Sequence, residues 1–108
     1  MYWANFLHIY QPPTQSKEIL EKVVKESYRP VLKIMKENKN GRLTLNINAC
    51  LCDLLSRHGF FDVIDDLGIL AQSGRIELTG SAKYHPILPL IPCAEIERQI
   101  ELNTKSNE

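Results

Sequence analysis

Apolar and polar residues alternate in two short stretches of this chain, and a third stretch is almost wholly apolar. Residues 43–48 place leucine and isoleucine on one side and threonine and asparagine on the other, and residues 75–79 repeat the alternation with Glu77 on the polar side. Residues 2–9 are aromatic and apolar, which predicts a largely buried strand. We therefore expect three strands.

Between these strands, apolar residues recur at helical spacing, which predicts helices. Ser16 is expected to cap a helix, and Pro30 should kink or restart it because proline lacks a backbone donor. Residues 49–58 and 61–73 predict two further helices, and a last one begins near residues 92 and 93. The order is therefore strand and helix in regular alternation.

Strands that alternate with helices favour a parallel sheet built from βαβ crossovers. Strands of open parallel sheets are usually apolar on both faces, so the alternation within residues 43–48 is unexpected there. A barrel reconciles the two facts, with the apolar residues under outer helices and Asn46 and Asn48 pointing into a polar lumen. The predicted fold class is α/β, with three parallel βα units forming the opening part of a barrel and residues 1–108 as a single partial domain.

Proline spacing predicts the path of the chain after the third strand. Pro86, Pro89 and Pro92 recur every three residues, which favours an extended, polyproline-like segment, and its apolar residues imply that it is buried. His85 precedes a proline and is therefore expected to be extended as well. The polar residues 104–108 are expected to fray.

Charge and cysteine content narrow the choice of partners. The 108 residues carry 13 basic and 13 acidic side chains, a balance that favours neither nucleic acid nor a membrane as a partner. No apolar run is long enough to span a bilayer, and no signal peptide is visible. Three cysteines without a secretory signal predict free thiols and a cytoplasmic location.

Four side chains are candidates for binding a polar ligand. They are His8 and Gln11 after the first strand, Glu77 on the third strand, and His85 in the loop that follows. The carboxyl ends of parallel strands form one edge, so we expect His8 and Glu77 to converge there. Histidine and glutamine supply the donors and acceptors that sugar hydroxyls require, and glutamate supplies an acceptor or an acid–base group.

Structural interpretations of these residues stay open. His8 could bond a neighbouring carbonyl, Glu77 could pair with Arg75 or a lysine, and His85 could lie on the surface. His58, at a helix end, is better explained as a structural cap. No spacing of histidine and cysteine typical of a metal site occurs, so we predict no metal and no cofactor.

Glycoside hydrolysis normally needs two carboxyl groups, about 5–5.5 Å apart in retaining enzymes. Glu77 is the only acidic residue within the predicted strands, and the other acids fall on helices, among them Glu18, Glu21, Asp53, Asp62 and Glu95. We therefore assign no catalytic residue to this chain.

Two segments resemble the first two sequence signatures of glycoside hydrolase family 57. They are residues 3–13, with His8-Ile9-Tyr10-Gln11-Pro12, and residues 74–90, centred on a Gly-x-x-Glu element. The first departs from the family's His-x-His-Gln-Pro pattern, since Tyr10 stands in place of the second histidine. The resemblance implies a seven-stranded (β/α) barrel, retaining chemistry without a metal cofactor, and sugar-contacting roles for His8 and Glu77. The family's catalytic glutamate and aspartate belong to later signatures, which this chain lacks.

The resemblance implies an N-terminal portion of an α-glucan-acting hydrolase or glucanotransferase. Its substrate would be an α-glucan or maltooligosaccharide, and its partner the remainder of the barrel, in the same chain or in a complementing one. Two alternatives stay open: a fragment of a metal-dependent polysaccharide deacetylase-like barrel, and a non-catalytic carbohydrate-binding or assembly module.

Overall fold

The chain forms a three-stranded parallel sheet with helices packed on one of its faces. The computed structural model describes residues 1 and 3–107, so Tyr2 of the predicted first strand and Glu108 lie outside the described residues. The strands are β1 (Phe6–Ile9), β2 (Leu43–Ile47) and β3 (Ile76–Thr79). The helices are α1 (Lys17–Val23), α2 (Arg29–Glu37), α3 (Ala49–Arg57), α4 (Phe61–Gln72) and α5 (Cys93–Asn107).

The three strands lie in the order β1-β2-β3 and run in the same direction. In this register, Leu45 of β2 lies between Leu7 of β1 and Leu78 of β3. Crossovers of one hand between consecutive neighbours place their helices on the same face of the sheet. The order shows no reversal of the kind that defines a doubly wound sheet. The α/β class and the parallel βα units are therefore confirmed.

Alternate residues of β2 form the centre of the core, as predicted. Leu43, Leu45 and Ile47 are at most 6% exposed. They pack in one cluster with side chains from the helical layer, namely Leu20, Val24, Leu32, Leu51, Leu55, Val63 and Leu70. The alternation in this strand therefore reflects one covered face and one open face.

The first helical region starts and restarts where the sequence predicts. Ser16 caps α1, and its hydroxyl oxygen accepts a hydrogen bond of 3.4 Å from the Ile19 N–H. A five-residue π-helical stretch, Val24–Tyr28, precedes α2, whose first turn contains Pro30. The wider turn accommodates the proline ring and its missing N–H, so the helix continues in a new register.

The prediction that the first strand is largely buried is wrong. Phe6 is 64% exposed and Leu7 is 41% exposed. β1 has a neighbouring strand on one side only, and Phe6 lies on the face that no helix covers. Aromatic and apolar composition predicted the strand itself, but burial depends on what surrounds it.

The proline-rich segment also differs from its prediction. Leu88–Leu90 form a turn of 3₁₀-helix instead of a polyproline-like path, and Ile87 and Leu90 are 68% and 77% exposed. Proline suits the first turn of such a helix because its missing N–H is not needed there. None of the described residues covers these two side chains.

Two buried polar side chains bond α5 to the rest of the chain. Asn103 is 1% exposed, and its Oδ1 accepts a 2.9 Å hydrogen bond from the N–H of Ala49 at the start of α3. Gln99 is also buried, and its Oε1 accepts a hydrogen bond from the Tyr84 N–H. The helix extends to residue 107, over residues whose polar composition predicted fraying.

Asn48 lies buried rather than in a lumen. Its Nδ2 donates to Ser81 Oγ at 2.8 Å and to the Ala82 carbonyl at 2.6 Å, and the residue is fully buried. The loop after β3 folds over the end of β2, which closes this position. No helix among residues 1 and 3–107 has the length and apolarity needed to cross a bilayer.

Candidate functional site

The face of the sheet opposite the helices carries two cross-strand rows of side chains. Strand register places His8, Asn46 and Thr79 side by side in one row, near the carboxyl ends of the strands. The second row, two residues earlier on each strand, contains Phe6, Thr44 and Glu77. We call the first of these the upper row.

Hydrogen bonds connect the upper row from strand to strand. His8 Nδ1 lies 2.7 Å from Asn46 Oδ1, and Asn46 Nδ2 donates to Thr79 Oγ1 at 2.9 Å. With the Asn46 amide oriented in this way, His8 donates from Nδ1, and its Nε2 keeps a lone pair. The prediction that Asn46 lies on the polar face is confirmed, and its amide holds the His8 ring.

His85 reaches the same row from the loop after β3. Its Nε2 lies 3.2 Å from His8 Nε2, although the two residues are 77 positions apart. The rings meet at 78°, and Tyr10 packs edge-on against His85 with a centroid distance of 4.9 Å. The structure therefore brings His8 and His85 together, with Tyr10 beside them.

The backbone at His85 is not extended, which contradicts the prediction made from Pro86. Its φ is +54°, a left-handed backbone conformation that residues other than glycine rarely adopt. Such a conformation costs about 1–3 kcal/mol and clusters at functional positions. The tight turn from Ala82 and the contacts with the His8 and Tyr10 rings keep His85 in it.

Glu77 lies on the same open face of the sheet as His8, but not at the edge formed by the carboxyl ends of the strands. It lies in the second row on the far strand, where the spacing of strands and residues separates its Cα from that of His8 by about 12 Å. The side chain is exposed, and Oε2 accepts a long hydrogen bond of 3.4 Å from Thr44 Oγ1. The expected convergence at one rim is therefore wrong.

Arg75 does not neutralise Glu77, so the alternative of an ion pair between them is wrong. The guanidinium Nη2 of Arg75 donates to the carbonyl of Asn38 at 2.6 Å instead. Among the described residues Glu77 takes part in no salt bridge. A free carboxylate thus remains on the open face.

The Gln11 side chain bonds within its own loop rather than to the upper row. Its Oε1 accepts a 2.7 Å hydrogen bond from Gln15 Nε2 within the loop that leads to α1. Burial raises the pKa of Tyr28, since the phenolate would lose its hydration. Gln11 therefore orders the loop that follows His8.

The remaining acidic side chains of the described residues lie on helices, as predicted. Asp62 pairs with Arg29, Asp53 with Lys83, Glu95 with Arg98 and Glu21 with Lys17. No second carboxylate joins Glu77 on the strands of the sheet. His58 is the C-cap residue of α3, the structural position that its sequence context indicates.

Two of the three cysteines, Cys50 and Cys52, are poor candidates for a nucleophile. All three are free thiols, and burial raises the pKa of Cys50 and raises that of Cys52 to about 11. A thiol that stays protonated near neutral pH is a poor nucleophile. Among the described residues, no group of three or more His, Cys, Asp and Glu side chains could hold a metal ion.

Sequence reasoning missed two members of the site, Thr79 and Tyr10. The parity of β3 placed Thr79 on the polar side, but its contact with Asn46 depends on strand register. Tyr10 attracted attention only as a departure from a motif. Its position beside His85 depends on the loop after β3.

Three comparisons place this chain among known proteins. The model of "Glycosyl hydrolase family 57" matches residues 4–108. An α-amylase of Pyrococcus horikoshii is 31% identical over 102 residues, which are 92% of this chain and 16% of that protein. A 4-α-glucanotransferase of Thermococcus litoralis is 26% identical over 96 residues, or 89% of this chain and 14% of that protein.

A solved structure shows the same fold. The crystal structure of the Thermococcus litoralis 4-α-glucanotransferase superposes with a TM-score of 0.88 at 24% sequence identity. The match covers 94% of this chain and 16% of that one. This likeness is consistent with the opening of a larger barrel, and the chain spans about a sixth of the length of the relatives it matches.

Proposed function

Since the chain belongs to glycosyl hydrolase family 57, we propose that it is the N-terminal segment of an α-glucan-acting hydrolase or glucanotransferase. In this proposal it supplies part of the substrate-binding surface. The catalytic carboxylates come from the remainder of the barrel, in the same chain or in a complementing one, because Glu77 is the only carboxylate on the strands of this sheet. The family match favours this function over a deacetylase-like barrel or a non-catalytic module.

The contact between His8 and His85 carries the proposal. In the tautomer that matches this contact, His85 Nε2–H donates to the lone pair of His8 Nε2, and a hydroxyl that entered between the rings would meet one donor and one acceptor. A sugar hydroxyl is both donor and acceptor, so it can bridge such a pair. The edge formed by the carboxyl ends of parallel strands is also where α/β proteins build their sites.

Glu77 and Gln11 have different roles in this proposal. Glu77 lies farther down the open face, where its carboxylate accepts a hydrogen bond from a hydroxyl of a neighbouring glucose unit. Gln11 acts indirectly, since its bond to Gln15 orders the loop that follows His8. The cytoplasmic location stays a prediction from cysteine usage.

A titration with maltotetraose tests the proposal on this chain, with EDTA present. We expect the NMR signals of the His8 and His85 rings and of the Asn46 amide to shift, while those of His58 stay unchanged. Cellotetraose, which has the same sugar units in β linkage, is the matched control and should shift them less. His85→Ala should abolish the shifts at His8.

The outcome that contradicts the proposal is equally specific. Equal shifts with both tetrasaccharides would argue against α-glucan recognition. If the NMR signals of the upper row stayed unchanged in the unsubstituted chain at the highest maltotetraose concentration, this would argue against sugar binding there.

A further inference from the structure

The Nε2 atoms of His8 and His85 lie as close as two ligands of one metal ion. They are 3.2 Å apart. Two imidazole nitrogens bound to a tetrahedral Zn²⁺ at 2.0–2.1 Å are separated by about 3.3 Å. We infer that this pair is a chelating site for a divalent transition-metal ion of the kind that imidazole prefers, such as Zn²⁺ or Ni²⁺.

The surroundings of His8 prepare it as a ligand. Metal-bound histidines usually donate the other ring N–H to an oxygen, which fixes the tautomer and the ring orientation. His8 Nδ1 lies 2.7 Å from Asn46 Oδ1, and Asn46 is in turn bonded to Thr79. The Nε2 lone pair of His8 therefore faces His85 Nε2, and a cation bound between the two rings would take the place of that contact.

The position of His85 is also restrained before a cation arrives. Its left-handed backbone and its edge-on contact with Tyr10 limit the directions that the ring can take. Both histidines are exposed, so a hydrated ion can reach them. Little reorganisation is then needed, which favours binding.

Two protein ligands make an open and exchangeable site. The described residues offer no third His, Cys, Asp or Glu at this position, so water completes the coordination sphere. The bound ion would need the lone pairs of both Nε2 atoms, so it would compete with the sugar hydroxyl of the proposed function. The inference itself does not depend on that function, since it rests on the geometry of the two rings.

Calorimetric titration with Zn²⁺ alone, without sugar, tests the inference. The chain carries Cys93→Ser in every sample, because that thiol is exposed and would bind the ion by itself. We expect one equivalent to bind. His8→Ala or His85→Ala should weaken binding at least tenfold, and the matched control His58→Gln should leave it unchanged.

The Asn46→Ala variant tests whether the Asn46 amide prepares His8 for metal binding or whether two exposed histidines are sufficient. Loss of an outer partner of a metal-bound histidine typically costs 10–100-fold in affinity. We therefore expect Zn²⁺ to bind this variant at least tenfold more weakly, although both imidazoles remain. Unchanged affinity would contradict the role of the Asn46 amide.

A histidine variant that fails to fold would also fail to bind Zn²⁺. NMR on the chain that keeps all its histidines avoids this ambiguity. The ¹⁵N signals of His8 and His85 Nε2 should shift together as Zn²⁺ is added, and those of His58 should not. Absence of binding up to about 1 mM Zn²⁺, or binding that leaves both Nε2 signals unmoved, would overturn the inference. Sugar binding could still be detected in that case, so the two proposals fail separately.

Discussion

The two faces of the sheet differ in what covers them, although neighbouring residues of the same strand supply both. Leu45 is 3% exposed beneath the helices, whereas Thr44 and Asn46 lie on the open face and bond across to β3. The covered face resembles an ordinary hydrophobic core. The open face keeps polar groups that are free to bind something else. Stability and binding are therefore assigned to alternate residues, and substitutions can separate them.

Truncation on the covered face should have the largest effect. Leu45→Ala should lower the free energy of unfolding by about 2–5 kcal/mol, because it removes packed methyl groups and leaves a cavity. Denaturant titration followed by circular dichroism measures this. Ile69→Ala, at a 62% exposed position of α4, is the matched control and should cost far less. Similar losses in both variants would contradict the assignment of the core.

Asn48 is polar and yet buried, so it tests whether burial or polarity decides how much a position of β2 contributes to stability. Asn48→Ala should cost about 1–3 kcal/mol, since the Ala82 carbonyl and the Ser81 hydroxyl lose their donor. Asn46→Ala, two residues earlier on the same strand, is the matched control and should cost less because water can replace its bonds. Unfolding curves of the two variants decide between them. A larger loss at Asn46 would mean that the open face is the better packed one.

Substitutions on the outer surface of the helices should lower the free energy of unfolding less than substitutions at Leu45 or Asn48. Arg29 and Asp62 are 2.8 Å apart, with both side chains about half exposed, and the Arg29 hydrogen bond lowers the pKa of Asp62. Asp62→Asn should therefore cost about 0.2–1 kcal/mol at neutral pH. Asp65→Asn, on the same helix, is the matched control.

The pH dependence of this ion pair has a defined sign. Because the folded pKa of Asp62 lies below the unfolded value of about 3.9, the pair stabilises the fold above that pH. The contribution disappears as the pH falls through the folded pKa. The difference between Asp62→Asn and the unmodified chain should vanish there, and a difference that grew with acidity would contradict this account.

The smallest effect on stability is expected on the open face itself. Thr44→Val keeps the shape of the side chain and loses one long hydrogen bond of 3.4 Å to Glu77. The change in unfolding free energy should stay within about 0.5 kcal/mol. A loss above about 1 kcal/mol by the same denaturant assay would show that the open face is packed more closely than the sheet indicates.

Local sequence patterns determined the elements of this protein. The alternation in β2 predicted which of its residues enter the core, and Ser16 and Pro30 marked where the first helices begin and restart. Such signals are local, since they depend on backbone geometry and on the side of a strand that a residue occupies. The resemblance to two signatures of the family likewise lies in continuous segments.

Only the tertiary structure decided which polar groups meet. His8 and His85 are far apart in sequence, and their contact requires the strand register, the turn after β3 and a left-handed backbone that the following proline argues against. The same register separated Glu77 from His8, and covering elements decided that Asn48 is buried while Phe6 is not. Distances between elements depend on packing as a whole, so no local pattern contains them.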